Sequence, residues 1–214
     1  MNILQEISGA VQSGSTLRTA ELTCAAMKEQ IRPAALLRDG LVTGLLEAVK
    51  RFHRGEILDT EVLVAERAMK AGLELLIPLL KEEREAPIGT VVTGTLEGDI
   101  RDIEKDIISI MMQSIGLKVI DVGTSVPVVH FIEAAAEGKA QIIAVTASLT
   151  IFLPQMKSLT QAASQANMRG KTKILLSGGP VTEWFCKSIE ADMYAPDPIR
   201  AAEIAAEYCR RIKQ

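Results

Sequence analysis

The chain has 214 residues, of which 48% are hydrophobic and 24% are charged, as is typical of a folded protein with one large or two small domains. Lysine and arginine number 24 against 27 acidic residues, so the net charge of −3 gives no general attraction to nucleic acid or to an anionic membrane. Only 3% of the residues are aromatic, which disfavours recognition of bases or sugars by ring stacking. Disordered and collagen-like classes are excluded.

The three cysteines are widely spaced and form neither a CxxC pair nor a zinc-binding pattern with histidine, which argues against a disulfide scaffold. The first residues lack a basic stretch followed by an apolar run, and no uncharged apolar segment reaches about 18 residues. We therefore expect a cytoplasmic protein that neither spans a membrane nor binds nucleic acid.

Residues 1 to 86 have the pattern of a four-helix bundle. Leucines such as Leu41, Leu45, Leu63 and Leu73 belong to apolar series with three- and four-residue steps, which is typical of helices with one buried face. Pro33 stands where a first helical turn tolerates proline. Four segments carry the pattern: Ile3–Val11, Leu17–Met27, Ala34–His53 and Thr60–Leu80. Short polar turns between them favour an antiparallel bundle.

The pattern changes after the charged, proline-ended segment 81–87, which is predicted to be a linker. Beyond it, short β-branched runs alternate with helical patterns. The runs are Ile88–Thr93, Val119–Val122, Ile142–Ala147 and Ile174–Leu176, and the helical patterns are Asp102–Ile115, Val128–Glu137, Gln155–Ala166, Thr182–Ile189 and Ile199–Ile212. This alternation predicts an α/β domain with a Rossmann-like or flavodoxin-like parallel sheet of five strands. The predicted domains are therefore residues 1–86 and residues 87–214.

In an open parallel sheet, ligands bind beyond the carboxyl ends of the strands. Gly98 and Asp99 follow the first strand, Thr146 ends the third, and Gly178 follows the fourth. These small and hydroxyl residues predict a polar groove. We find no GxGxxG or Walker fingerprint here and no evident nucleophile or general base. Asp99 or Asp102 is expected to cap the next helix.

Several motifs taken together resemble the corrinoid proteins of anaerobic methyltransferase systems, which share their cobalamin-binding module with methionine synthase. In the bundle the resemblance rests on segment 33–41, on Phe52, Gly55 and Glu56, and on the region from Glu61 to Leu80. In the sheet domain it rests on segments 94–99, 121–127, 178–179 and 192–197. The resemblance covers nearly the whole chain. It implies a helical cap over a corrin and a sheet domain that holds the cofactor.

The resemblance also implies a set of cofactor-binding residues and no catalytic residue of the chain's own. The implied cobalamin contacts are Gly98, Asp99, Ile100, Arg101, Asp102, Ile103, Thr146, Ser148, Leu149, Gly178, Gly179, Tyr194 and Asp197.

One motif departs from the family's pattern, in which the histidine of Asp-x-His-x-x-Gly binds cobalt. Here Arg101 replaces that histidine and Glu104 replaces the glycine. The family's Ser-x-Leu reads Thr146-Ala147-Ser148. A protonated arginine has no lone pair for a metal, so no protein ligand to cobalt is expected. His130 is the alternative ligand, but it is predicted to lie on a helix rather than in the first loop.

The leading interpretation is a methyl-carrying component of a corrinoid-dependent methyltransferase system rather than a complete enzyme. Its expected partners are cobalamin and methyltransferase proteins, and a homodimer is a further option for its assembly. Two alternatives remain open: a cobalamin carrier or sensor, and a scaffold that kept the fold and lost the cofactor. Cobalamin regulators usually carry an added DNA-binding domain, for which this chain has neither spare residues nor a basic patch.

Overall fold

The structure, a computed structural model, describes residues 2–82 and 87–213. The chain divides into two compact units, Met1–Arg84 and Glu85–Gln214, which we call the helical unit and the sheet unit. The predicted linker falls partly outside the described residues, at 83–86, and its first two residues belong to a helix. Within the described ranges, we find no helix with both the length and the hydropathy of a membrane-crossing segment.

The helical unit contains all four predicted helical segments. In chain order its elements are α1 (Ile3–Gln12), α2 (Thr16–Lys28), α3 (Pro33–Ala35), a π-helical stretch (Leu36–Val42), α4 (Thr43–His53) and α5 (Asp59–Glu82). Pro33 stands in the first turn of α3, as its missing N–H and fixed φ favour. The third predicted segment is thus helical throughout but contains a change of helix type.

The π-helical stretch was not predicted, and its hydrogen bonds show how the wider turn is completed. The backbone N–H of Thr43 donates to the carbonyl of Arg38, five residues earlier, and the Thr43 hydroxyl donates to the same oxygen at 2.8 Å. The spacing of apolar residues alone does not distinguish a π turn from an α turn, because in both helix types residues three to five positions apart lie on the same face.

The core of the helical unit is aliphatic. Leu41, Leu45 and Leu76 are fully buried, and Met69 is 1% exposed, as the apolar periodicity predicted. Leu63 was expected to share this buried face but is 49% exposed, so that part of the prediction is wrong. Its neighbour Val62 supplies the buried contact instead, at 3% exposure.

The approach of α1 to α4 leaves no room for a side chain at Gly44, and this gives a first prediction. A Cβ there would lie 2.7 Å from the carbonyl oxygen of Ser8 and 2.8 Å from Cβ of Val11. We expect Gly44→Ala to lower the free energy of unfolding by about 2 kcal/mol in urea denaturation. Gly9→Ala is the matched control, because no atom lies within 4 Å of its Cβ, and it should stabilise the helix by up to about 1 kcal/mol. Equal effects from the two variants would contradict this account.

The sheet unit confirms the predicted parallel sheet of five strands. Its strands are β1 (Gly89–Thr95), β2 (Leu117–Asp121), β3 (Ile142–Thr146), β4 (Lys173–Ser177) and β5 (Met193–Tyr194), in the order β2-β1-β3-β4-β5. Its helices are α6 (Ile103–Ser114), α7 (Val128–Glu137), α8 (Leu153–Gln165), α9 (Glu183–Ser188) and α10 (Pro198–Arg211). A short 3-10 turn, Thr150–Phe152, precedes α8.

The strand order and the helix contacts define a three-layer arrangement. Helices α6 and α10 pack against each other, as do α7 and α8, and α6 and α7 both contact β1. Apolar residues of β3 and β4 such as Ile143, Ile174 and Leu176 are fully buried between the layers. This strand order is that of a doubly wound sheet. In such sheets the ligand site lies between the two strands whose connections run to opposite faces, which here are β1 and β3.

The strand register aligns three hydroxyl residues at the carboxyl edge. Thr95 of β1 pairs with Thr146 of β3, and Thr146 pairs with Ser177 of β4. All three residues are at least 97% buried. The loops that follow these strands are therefore neighbours at one edge of the sheet.

Candidate functional site

The loop after β1 turns sharply and carries a buried acid. Gly98 has a left-handed φ of +86°, and the N–H of Asp99 closes the turn onto the carbonyl of Leu96 at 2.9 Å. The Thr95 hydroxyl donates to the Asp99 carbonyl at 2.5 Å. Asp99 is only 1% exposed, so its carboxylate needs hydrogen-bond donors within the protein.

Three donors meet the Asp99 carboxylate and join two strand loops. The Ser148 hydroxyl donates to Oδ1 at 2.7 Å, and the Ser148 backbone N–H donates to Oδ2 at 2.8 Å. The Arg101 backbone N–H donates to Oδ1 at 3.2 Å. The Asp99 carboxylate therefore holds the loop after β3 against the loop after β1.

A second junction ties the loop after β2 to the same acid. The Ser125 N–H donates both to the Asp99 carbonyl at 3.1 Å and to the Thr95 hydroxyl at 3.0 Å. The Ser125 hydroxyl accepts from the Gly98 N–H at 2.9 Å. Ser125 makes these contacts with a left-handed φ of +55°, an unfavourable conformation for serine. The loops after β1, β2 and β3 are thus joined in one hydrogen-bond network.

A buried lysine anchors the loop after β2. Lys105 of α6 is 5% exposed, and its ammonium lies 2.6 Å from Oδ2 of Asp121 and 2.7 Å from Oδ1 of Asp106. Burial alone would lower the pKa of Lys105, but the hydrogen bonds to the two acids raise that pKa above its ordinary value. The other oxygen of Asp121 accepts from the Gly123 N–H at 2.8 Å. Through its contacts with Lys105 and Gly123, Asp121 therefore holds the end of β2 in place.

Glu104, in the first turn of α6, is the exception among these satisfied groups. Its Oε2 atom is buried and has no hydrogen-bond partner among the described residues. Burial, and second the negative charge of Asp99, raise the pKa of Glu104 to about 7. A buried carboxyl oxygen without a donor, close in sequence to an acid with three donors, marks an unusual electrostatic position.

The loop after β4 lies directly against the loop after β3. Gly178 has φ of +120°, and a Cβ at this position would collide with the backbone of Ala147. The Ala147 N–H donates to the Ser177 carbonyl at 3.2 Å. The glycine at 178 therefore has a packing reason, in addition to the ligand-binding role that the resemblance implies.

The other predicted site residues occupy varied positions in the sheet unit. Ile100 and Leu149 are 77% and 48% exposed at this edge, while Ile103 is half-buried at the start of α6. Arg101, Asp102 and Gly179 are exposed, and Tyr194 is half-buried in β5. His130 is exposed in the first turn of α7.

The capping predictions near this edge are corrected by the hydrogen bonds. Asp102 stands at the N-cap position of α6, but its side chain makes no capping hydrogen bond, and the Asp99 carboxylate is engaged with Ser148 and Arg101 instead. Asp197 is the acid that caps a helix, because its Oδ1 accepts from the Arg200 N–H at 2.9 Å at the start of α10. Asp99 and Asp102 both lie shortly before α6 in the sequence. Their positions alone do not show which of the two carboxylates bonds to a distant loop instead of capping the helix.

Exposed apolar side chains form an apolar rim at this edge, of which the sequence analysis named only Ile100 and Leu149. Its members follow β1, β2, β3 and β4, and each is at least 48% exposed: Ile100, Val129, Leu149, Ile151 and Trp184. Exposed apolar groups gathered at one edge are typical of a surface that binds a ligand or a partner. Periodicity could not find them, because they lie in loops or first helical turns.

Comparison with known proteins gives consistent results for both units. The B12 binding domain family matches residues 89–203, and a second B12 binding domain family matches residues 3–77. The chain is 35% identical over 209 residues to a dimethylamine corrinoid protein of Methanosarcina barkeri, covering 96% of both chains. It is 34% identical over 194 residues to trimethylamine corrinoid protein 1 of Methanosarcina mazei, covering 90% of both.

A solved structure supports the same assignment. The Methanosarcina barkeri monomethylamine corrinoid protein superposes with a TM-score of 0.79 at 25% identity, over 96% of this chain and 98% of that one. The matched families, the two relatives and the shared fold cover both units. The chain therefore belongs to the family of cobalamin-binding corrinoid proteins.

Proposed function

We propose that this chain carries a methyl group on a bound corrinoid, as one component of a methyltransferase system. The observation that carries the proposal is the carboxyl edge of the sheet, where the exposed apolar rim follows the same strands whose loops are joined at Asp99. When bound, a corrinoid supplies a cobalt centre that can accept and release a methyl group. The chain's own contribution is to bind, orient and shield that group.

The residues at this edge suit a corrinoid. Ile100 and Leu149 offer apolar contact to the methyl-rich margin of a corrin ring, and the Asp99 centre keeps their two loops together. Gly98 and Gly179 carry no side chain at two positions that the resemblance assigns to the cofactor. Thr146 is 3% exposed at the base of this edge and belongs to the same proposed groove.

We further propose that no side chain of this chain binds the lower face of cobalt. Arg101 stands where the resembling family has its histidine, and a guanidinium has no lone pair to donate. The Arg101 backbone N–H already donates to Asp99, so the loop keeps its shape without an imidazole. His130 lies on α7 rather than in that loop.

Two measurements test these proposals. Cyanocobalamin added to the purified chain should elute with it on gel filtration, and a chain that passes through colourless would favour the scaffold alternative. For the ligand, the bound cofactor in its Co(II) form is examined by electron paramagnetic resonance with ordinary and 15N-labelled histidine. Labelling should leave the wild-type spectrum unchanged and alter that of Arg101→His. A label-dependent wild-type spectrum would show a histidine ligand.

The partner and the methyl donor belong to the same proposal. The relatives are named as dimethylamine and trimethylamine corrinoid proteins, which makes methylated amines the first donors to test. The chain loaded with methylcobalamin should pass its methyl group to an added nucleophilic acceptor, such as a thiolate, only in the presence of a partner methyltransferase. Release by the chain alone would contradict a component role.

A further inference from the structure

Glu104 and Asp99 lie five positions apart at the start of α6 and differ in the hydrogen bonds of their carboxyl groups. The Asp99 carboxylate accepts from the Ser148 hydroxyl, the Ser148 N–H and the Arg101 N–H. The Glu104 Oε2 atom is buried with no partner among the described residues. Donors favour the ionised form of an acid, and burial without donors favours its neutral form. The buried oxygen without a donor therefore favours the neutral form of Glu104.

The surrounding charges offer Glu104 no compensation. On α6, Lys105 pairs with Asp106 and Asp121, and on the packed helix α10, Arg200 pairs with Glu203 and Glu207. Arg101 and Asp102 have exposed side chains. Asp99 is the charged group that acts on Glu104, and it opposes a second negative charge.

The position of Glu104 connects its proton to the loops of the site. Asp99 joins the loop after β1 to the loop after β3 through Ser148, and Ser125 joins the loop after β2 to the Asp99 backbone. A negative charge on Glu104 would repel the group that these loops share. A ligand lying on this edge would also remove water from Glu104 and so increase the cost of its charge.

We propose that Glu104 is a proton-carrying residue of the corrinoid site, and that the protein binds a corrinoid only while Glu104 is protonated. This inference rests on the proposed function and adds a proton dependence to it. Above neutral pH, where Glu104 of the free protein is mostly ionised, binding of a corrinoid then requires Glu104 to take up one proton. The resemblance that predicted the site places a glycine at this position, so the family's motif does not imply this property.

The linkage predicts a loss of affinity at alkaline pH. With a pKa of about 7 in the free protein, binding restricted to the protonated form weakens about tenfold between about pH 6 and about pH 8. The probe is cyanocobalamin, measured by equilibrium dialysis. Glu104→Gln keeps the size of the side chain and cannot ionise, so its affinity should be constant over this range. Glu137→Gln, at an exposed position on α7, should keep the wild-type profile.

A second readout needs no ligand. Below about pH 4.5, Glu104 is protonated in both the folded and the unfolded chain, so wild type and Glu104→Gln should respond to pH alike. Between about pH 4.5 and about pH 7 the unfolded wild-type chain releases this proton first, so wild type loses stability relative to the variant. The urea midpoint of Glu104→Gln should therefore rise relative to wild type over this interval and then stay constant.

The outcomes separate the two proposals. Equal pH profiles of cyanocobalamin affinity in wild type and Glu104→Gln would overturn the proton linkage while leaving the proposed function intact. If neither protein binds cyanocobalamin at about pH 6, the proposed function and the linkage both fail. A urea midpoint difference that does not change with pH would show that Glu104 is not protonated in the folded chain and would also overturn the inference.

Discussion

Replacing Asp99 with alanine is expected to lower the free energy of unfolding by about 3 kcal/mol. The variant leaves two donors of Ser148 and the N–H of Arg101 without their common acceptor. Bonds of this kind to an ionised group are stronger than those between neutral groups, and Asp99 is only 1% exposed, so water cannot replace the carboxylate without a rearrangement of the loops. Urea denaturation followed by circular dichroism measures the loss.

Asp102→Ala is the matched control for this variant. Asp102 lies three residues further along the same loop, is exposed and makes no side-chain capping hydrogen bond. Its replacement should change the free energy of unfolding by less than about 0.5 kcal/mol. If both variants lose the same stability, the Asp99 centre does not hold the loops together. Asp99→Ala also removes one cause of the raised pKa of Glu104, so that pKa should fall towards its ordinary value.

Gly178→Ala is expected to be at least as damaging, for a steric reason. The added Cβ would collide with the carbonyl oxygen and the N–H nitrogen of Ala147, and φ of +120° is itself unfavourable for alanine. Both effects act at the point where the loops after β3 and β4 touch. We expect a loss of about 3 kcal/mol or more in the free energy of unfolding.

Gly170→Ala separates this collision from a general effect of losing a glycine in the same unit. Gly170 is exposed in the turn before β4, and no atom lies within 4 Å of its Cβ. We expect a change within about 0.5 kcal/mol. A Gly178→Ala protein as stable as Gly170→Ala would mean that the two loops can move apart freely, against the close contact described here.

The architecture was largely predictable from sequence, because its signals are local. Alternating β-branched runs and helical periods identified the parallel sheet, and α7 was predicted with its observed bounds, Val128–Glu137. The short strand β5 was anticipated only as a fifth unit, since two residues give no periodic pattern. The π-helical stretch Leu36–Val42 was missed because its hydrogen bonds shift by one residue without changing the apolar face.

The sequence identified individual site residues by their type and their position after a strand, but it did not show which of them contact each other. Asp99 and Ser148 were both named as site residues, and the structure joins them by two hydrogen bonds across 49 positions of sequence. That pairing depends on β1 and β3 being neighbours, which a local pattern does not show. The burial of the Glu104 Oε2 atom without a partner among the described residues likewise follows from packing, since an acid in a first helical turn is ordinarily solvated.

The most direct test of the central claim is hydrogen–deuterium exchange of the chain with and without cyanocobalamin. The claim is that a corrinoid binds at the carboxyl edge of the sheet unit, on the loops joined by Asp99. Exchange should slow in segments 96–102, 147–152 and 178–182 when the cofactor is added, and remain unchanged in segment 166–172 at the opposite edge. Protection confined to that opposite edge, or no protection of the three loops in a chain that retains the cofactor, would contradict the account.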